Sequence, residues 1–269
     1  MKIAVIMGSP RKKDSYHICK EIEQRLNLYE ANVEFDYIFL SEHDILDCKG
    51  CFICFQKSEK LCPCKNDSLE SIKERLFSAQ GIIIASPVYA YQVTGPLKCF
   101  IDRMSYLFHR QELFGKPAII VVTTDGGGSK QVYRYLKMII SGWGMEAVGN
   151  LQIISPQYFK NRLPKSAFGY NEKYYDKKRK SLVMLSKKFD KRLSSTELRK
   201  PTFYDIFMFH CLRSKTYISA ADRAYWEEKG WMKASYFYPV KMNPAKWFFG
   251  NIMRGIIHMV GKRFLENNK

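Results

Sequence analysis

The 269-residue chain reads as an α/β protein, a parallel sheet with helices on both faces, followed by a distinct helical and aromatic extension. Three observations predict this. Short apolar runs alternate five times with stretches of helical periodicity. The strongest of those runs are apolar throughout, as strands buried on both faces must be. Past residue 150 the charge changes: residues 1–150 hold 19 Lys/Arg and 17 Asp/Glu, whereas 151–269 hold 25 and 9.

The elements follow in order. Lys2–Met7 is an apolar strand closed by Gly8-Ser9-Pro10, and Ser15 to Leu28 carries Ile18, Ile22 and Leu26 at helical spacing. Val33–Leu40 is the second strand. After a cysteine-rich loop, Asp67-Ser68 offers an N-cap for a helix running through Ala79. Gly81-Ile82-Ile83-Ile84-Ala85 is the clearest strand, followed by a helix over Thr94–Phe108. Ala118–Thr123 is the fourth strand, stopped by Thr124-Asp125-Gly126-Gly127-Gly128. Lys130–Ser141 is a helix, and Val148–Ile154 the last strand. Residues 156–170, with Pro156, Asn161, Pro164 and Gly169, predict a loop before a Lys-rich helix ending near Leu193. Pro201 marks the next boundary, which divides the chain into residues 1–195 and 196–269. Beyond Pro201 lie 15 of the 39 aromatic residues.

Composition bounds the function. A 46% hydrophobic content is ample for a core and excludes wholesale disorder. No run of eighteen apolar residues occurs, and the apolar stretch at the N-terminus is too short for a signal peptide. A cytoplasmic location is the expectation. Five of the eight cysteines (Cys48, Cys51, Cys54, Cys62, Cys64) fall within seventeen positions of a large core-bearing domain. In a reducing compartment such clustering points to metal binding or redox chemistry rather than a disulfide scaffold.

Three segments at strand ends carry the chemistry. Gly8 to Ser15 opens a helix, where backbone N–H groups and the helix dipole favour an anion, and Ser9, Arg11 and Ser15 add donors suited to a single phosphate. This is neither a G-x-G-x-x-G fingerprint nor a Walker loop; the plain alternative is a turn with an N-cap serine. Ser86-Pro87-Val88-Tyr89 ends the central strand, where a proline and an aromatic can wall a flat ring. Thr124 to Gly128 lets backbone approach a ligand closely. Each piece alone could be a simple turn, but all three lie at one edge of the sheet.

The Gly-Ser-Pro-Arg turn, the cysteine cluster, the Ser-Pro-Val-Tyr turn and Lys98…Ile101-Asp102-Arg103 together resemble the flavodoxin-like, NAD(P)H-dependent FMN reductases, in particular the iron–sulfur flavoprotein branch. The resemblance covers roughly residues 1–190. It implies a five-stranded sheet of order 2-1-3-4-5. It assigns the FMN phosphate to Ser9, Pro10, Arg11 and Ser15, with main-chain help at Tyr16. It places Pro87, Val88 and Tyr89 along the flavin and ribityl chain, and Thr124, Asp125, Gly126 and Gly127 beside the ring system. Many members carry Asn-Thr where this chain has Ser15-Tyr16. No catalytic side chain is expected, since the flavin carries the chemistry.

Cys48-x2-Cys51-x2-Cys54-x7-Cys62 supplies four thiolates, the ligand count of a [4Fe–4S] cube, with Cys64 as a substitute for Cys62. Zinc and free or redox-active thiols are the alternatives. In the tail, Asp222 to Trp226 and Gly230-Trp231 resemble extensions of some bacterial relatives without assigned chemistry. Pro244–Leu265 reads as a helix with Phe248, Ile252, Ile256, Met259 and Val260 on one face and Arg254, His258 and Lys262 opposite. Such a face more often packs on protein than on a peripheral anionic membrane; nucleic acid is disfavoured. The expected activity is hydride transfer from NAD(P)H to FMN, with electrons passed to a small-molecule or protein acceptor. The alternatives are a flavodoxin-like carrier without its own NAD(P)H reaction, or a docking flavoprotein. Related folds are dimers or tetramers, so a homo-oligomer is expected.

Overall fold

A computed structural model describes residues 1–29, 32–154 and 172–267. The predicted loop at 156–170 therefore lies outside the described residues. By internal contacts the chain forms two compact units: residues 1–48 with 64–197, and residues 49–63 with 198–269. Most of the cysteine loop thus groups with the C-terminal extension, whereas Cys48 and Cys64 belong to the first unit.

The first unit is a five-stranded, all-parallel sheet of order β2-β1-β3-β4-β5. Its strands are β1 (Lys2–Met7), β2 (Glu34–Phe39), β3 (Gly81–Pro87), β4 (Pro117–Thr124) and β5 (Glu146–Ile154). The helices are α1 (Asp14–Tyr29), α3 (Leu69–Ser78), α4 (Gly95–Arg103), α5 (Ser129–Gly142) and α6 (Glu172–Leu193). The expected strand order and helical layers are found. Ile3, Val5 and Met7 of β1 join Ile18, Ile22 and Leu26 of α1 and Leu182, Leu185 and Phe189 of α6 in one core. The alternate residues Ala4 and Ile6 are equally buried. Burial on both faces is why these strands read as unbroken apolar runs.

Three local departures have physical causes. The helix expected over Thr94–Phe108 ends at Arg103 and continues as a 3₁₀ turn over Ser105–Phe108, because Met104 N–H is shared between Phe100 and Ile101 carbonyls. Asp67 helps start α3, accepting from Leu69 N–H at 3.1 Å, while Ser68 makes no side-chain cap. Register shifts between β4 and β5 at Ala118/Ile119.

The second unit contains the short α2 (Ile53–Gln56), then α7 (Phe203–Lys215), α8 (Ala220–Glu228) and α9 (Pro244–Asn267). Thr202 and Asp205 form a reciprocal capping box at the start of α7. The aromatic content is explained by a cluster of Phe209, Trp226, Trp231 and Phe237, with ring centroids 4.7–5.8 Å apart. Ser219, the N-cap of α8, donates its hydroxyl to the Phe55 carbonyl and so ties the cysteine segment to the extension.

Within this chain the apolar row of the last helix is not the packed face. Phe248, Ile252, Ile256, Met259 and Val260 are all exposed. Its inner face is made by small residues instead: a Cβ on Gly261 would meet the Tyr217 ring, and one on Gly250 would approach Ile206 and His210 of α7. Backbone proximity at glycines gave a closer helix contact than the aliphatic row could. Among the described residues, no helix is long and apolar enough to cross a membrane.

Candidate functional site

All three segments singled out in the sequence lie in the first unit at the carboxyl edge of the sheet. Gly8 leaves β1 with its N–H bonded to the Ala85 carbonyl at 2.8 Å, and Thr94 Oγ1 donates to the Gly8 carbonyl at 2.7 Å. A Cβ at Gly8 would sit 3.1 Å from both Leu97 and Thr94, so the close approach demands glycine. Ser9 Oγ accepts from Arg11 N–H at 3.2 Å and donates to the Arg11 carbonyl at 2.9 Å, closing a tight turn. Pro10 and Arg11 are exposed, and the first turn of α1 follows.

The second segment is joined to the third through Val88 N–H, which donates to the Thr123 carbonyl at 2.8 Å. Tyr89 and Gln92 exchange backbone hydrogen bonds of 2.9 Å around Ala90 (φ 47°) and Tyr91 (φ 62°). Two successive non-glycine residues in the left-handed region cost about 1–2 kcal/mol each. Such strain concentrates where a loop is shaped for a purpose other than its own stability. It leaves both tyrosine rings exposed, Tyr89 to 40% and Tyr91 to 64%.

In the third segment, Thr124 Oγ1 donates to the Gly127 carbonyl at 2.7 Å and accepts from Gly126 N–H at 3.1 Å. Gly128 (φ +83°) starts α5, and a Cβ there would lie 2.7 Å from Val88 Cγ1 and 3.2 Å from Tyr91 Cα. A Cβ on Gly127 would touch the Tyr91 ring, whereas one on Gly126 would meet nothing within 4 Å. The loop is therefore packed at Gly127 and Gly128 and open at Gly126, with Asp125 exposed beside it. A 300 Å³ cavity runs from Gly126 and Ser129 to Asn150, Gln152 and Lys178.

Arg11 links the first segment to the second: its guanidinium lies 3.4 Å from the Tyr89 hydroxyl and forms no ion pair among the described residues. An unpaired guanidinium, a helix start, two exposed aromatic rings and an open glycine edge fit a phosphate-tailed planar cofactor. Ser15 is placed differently from its expected role. It is buried, and its hydroxyl shares a 2.7 Å hydrogen bond with Thr123 Oγ1. Replacing Ser15 by alanine should leave the Thr123 hydroxyl unpaired and cost about 1–3 kcal/mol in chemical denaturation. The Tyr16 ring packs on Tyr37 and Phe39, so only its main chain faces the turn.

Sequence reasoning missed Tyr91, Thr94 and Thr123. Thr123 sits on a strand face that reads only as buried, and Thr94 reads as a helix cap. Tyr91 carries no backbone signal, being neither Gly nor Asn in a left-handed conformation.

Of the clustered cysteines, Cys48 and Cys64 lie in the first unit and Cys51, Cys54 and Cys62 in the second. Cys48 and Cys51 are exposed, while Cys64 is buried and its thiol donates to the Asp47 carbonyl at 3.2 Å. Among the described residues, no group of three or more His, Cys, Asp and Glu side chains is gathered as a metal site. Both ends of the loop are held by Arg103, which donates to the Leu46 carbonyl (2.8 Å), the Cys64 carbonyl (2.8 Å) and Asp67 (2.5 Å). The nearby Cys99 thiol is pushed up to about 11, by burial first and then by its contact with Asp47, and stays protonated.

The sheet order and its helical layers define a flavodoxin-like fold. The chain belongs to the NADPH-dependent FMN reductase family, whose family model matches residues 1–160. It is 34% identical over 151 residues to an iron–sulfur flavoprotein of Archaeoglobus fulgidus, covering 55% of this chain and 66% of that protein. It is 32% identical over 158 residues to an iron–sulfur flavoprotein of Clostridioides difficile, covering 57% and 67%. The chain thus spans about two thirds of the length of these relatives. Among solved structures, an NADH:FMN oxidoreductase (EMOB) shares the fold with a TM-score of 0.50 at 22% identity, over 73% of this chain and 91% of that one. RosB, solved with 8-demethyl-8-formylriboflavin-5'-phosphate, does so with a TM-score of 0.54 at 12% identity, over 91% and 92%.

Proposed function

We propose that this chain is an FMN-dependent oxidoreductase that accepts hydride from NAD(P)H and passes electrons to a separate acceptor. The observation that carries the reading is the convergence of three strand-end segments, locked together by Gly8–Ala85, Val88–Thr123 and the packing of Tyr91 on Gly127 and Gly128. Bound FMN would supply the redox centre, able to exchange electrons in pairs or singly. Arg11 would neutralise the phosphate together with the N–H groups opening α1. The exposed rings of Tyr89 and Tyr91 offer apolar surface for a flat ring system. The amides of the open glycine edge at Gly126 would stabilise negative charge appearing there, as preorganised donors do.

Mixing the flavin-loaded chain anaerobically with NADH or NADPH tests the reading. Rapid bleaching of flavin absorbance supports a reductase, whereas no bleaching with either nucleotide leaves an electron carrier. Arg11→Ala should weaken FMN binding about 10- to 100-fold, the worth of a charge-assisted phosphate contact, as read by flavin retention on gel filtration. Unchanged affinity would remove Arg11 from the phosphate site.

A [4Fe–4S] cluster on Cys48, Cys51, Cys54 and Cys62 is the finer part of the proposal, supported by the thiolate count, the spacing and the names of the relatives. Iron and sulfide analysis of anaerobically purified protein checks it, with about four irons per chain expected. Homo-oligomerisation and a cytoplasmic setting belong to the same proposal, and sedimentation analysis tests the former.

A further inference from the structure

The second unit carries 16 Lys/Arg against 6 Asp/Glu, and part of this excess converges on one cavity. The cavity has a volume of 580 Å³ and is lined by Arg213 of α7, Arg223 of α8, and Asn251, Arg254 and His258 of α9, with Tyr217 nearby on its wall. No carboxylate is among the lining residues. The volume is that of a small-molecule site rather than of a packing defect.

The most buried of the cations is held by groups that do not cancel its charge. Arg213 is buried to 4% exposure and donates to the Trp231 carbonyl at 2.9 Å and the Ala234 carbonyl at 2.5 Å. Its Nε is buried without a partner. Burial, and then the neighbouring Arg254, pull Arg213 down to about 10. The adjacent His210, 3.3 Å from Arg213, is pulled down to about 4 by burial, then by Arg213 and Arg254. Arg254 has one long contact, 3.5 Å to the Lys233 carbonyl, and His258 shares a 3.1 Å hydrogen bond with the Tyr217 hydroxyl. Of these cations, Arg223 alone meets a carboxylate among the described residues, Glu227, in an exposed i,i+4 pair of the kind that contributes little. A buried guanidinium beside Arg254, with no carboxylate among the residues lining their cavity, is a costly arrangement for a fold to keep. A multivalent anion would relieve it.

We propose that this cavity binds a phosphate group carried by a larger molecule, with Arg213, Arg223 and Arg254 as its cationic partners and Asn251 and His258 as further donors. Guanidinium forks match phosphate oxygens in pairs, and the volume exceeds what the phosphate alone would fill. Either a soluble phosphate ester or a phospholipid head group presents this chemistry.

Binding of ADP by calorimetry and co-sedimentation with phosphatidylcholine vesicles, with and without phosphatidic acid, separate the two sources. Both use the full chain carrying one bound equivalent of FMN with the excess removed, so that the first unit's phosphate site is filled and no free FMN competes for the cavity. Saturable binding is expected in one arm, weakened about tenfold or more by Arg254→Ala and by Arg223→Ala. Both residues are exposed, so either truncation leaves the core intact. Lys241→Ala, which removes the same charge away from the cavity, should leave binding unchanged. Absence of saturable binding in both arms overturns the proposal. So does an equal loss in Lys241→Ala, which would mean diffuse charge attraction, or an unaltered affinity in both arginine variants.

Discussion

Replacing Arg103 by Met should lower the unfolding free energy by about 3–5 kcal/mol, the cost of leaving one member of a buried ion pair without the other. The side chains of Arg103 and Asp67 are 3% and 4% exposed and meet at 2.5 Å. The guanidinium also satisfies two carbonyls, Leu46 and Cys64, that flank the cysteine loop. Loss of Arg103 therefore removes a structural clamp as well as a charge. Urea denaturation reads the first effect, and faster alkylation of Cys64, which is buried in the parent, reads the second. The pair also sets an acid dependence. Burial raises the Asp67 carboxyl, but Arg103 and the Leu46 and Leu69 amides outweigh it and hold the group below its ordinary value. A depressed carboxylate stabilises the fold above its unfolded pKa, and that contribution is lost as pH falls through the folded value. Asp67→Asn should be less stable than the parent at neutral pH, with the difference narrowing in acid.

The second large effect is expected at the glycine loop, where two neighbouring positions should respond in opposite ways. Gly128→Val places a branched side chain at φ +83°, with its Cβ 2.7 Å from Val88. Left-handed strain of about 1–2 kcal/mol and overpacking of about 1–3 kcal/mol should together destabilise the first unit and displace Val88 and Tyr91. Gly126→Val meets no atom within 4 Å and carries no such conformation. It should fold as the parent does within about 0.5 kcal/mol, yet lose flavin affinity if the ring system approaches that edge. Thermal melting and flavin retention, measured on both variants, separate packing from recognition. Equal flavin affinity in Gly126→Val and the parent would move the ring away from this loop.

The parts of this fold that were legible in the sequence are those where one residue type can serve only one role. The strands at Gly81–Pro87 and Pro117–Thr124 are buried on both faces and so appear as unbroken apolar runs. The turns that end them carry Gly and Pro, whose backbone limits are local. Features that depend on distant partners were not legible. Ser15 looked like a phosphate ligand because a serine at a helix start usually points at solvent, but Thr123, more than a hundred residues away, claims its hydroxyl. Arg103 follows Asp102 in sequence, yet Asp102 bonds Lys98 one helical turn back and Arg103 reaches Asp67, thirty-six residues away. The aliphatic row of α9 had the periodicity of a packing face, but Gly250 and Gly261 on another face allow a closer approach to α7 and its C-terminal end. The grouping of residues 49–63 with the extension rests on contacts of α2 with α8 that no local pattern announces.

The central claim is that the carboxyl edge of the sheet recognises a flavin through its phosphate, with Arg11 and the start of α1 as the anion site. Titrating the flavin-free chain with FMN and with riboflavin, which differ only by that phosphate, tests it most directly. FMN should bind with one-to-one stoichiometry and riboflavin at least about 100-fold more weakly, a gap of roughly 3 kcal/mol, and the gap should shrink in Arg11→Ala. Equal affinities for the two ligands, or a gap untouched by Arg11→Ala, would contradict the site.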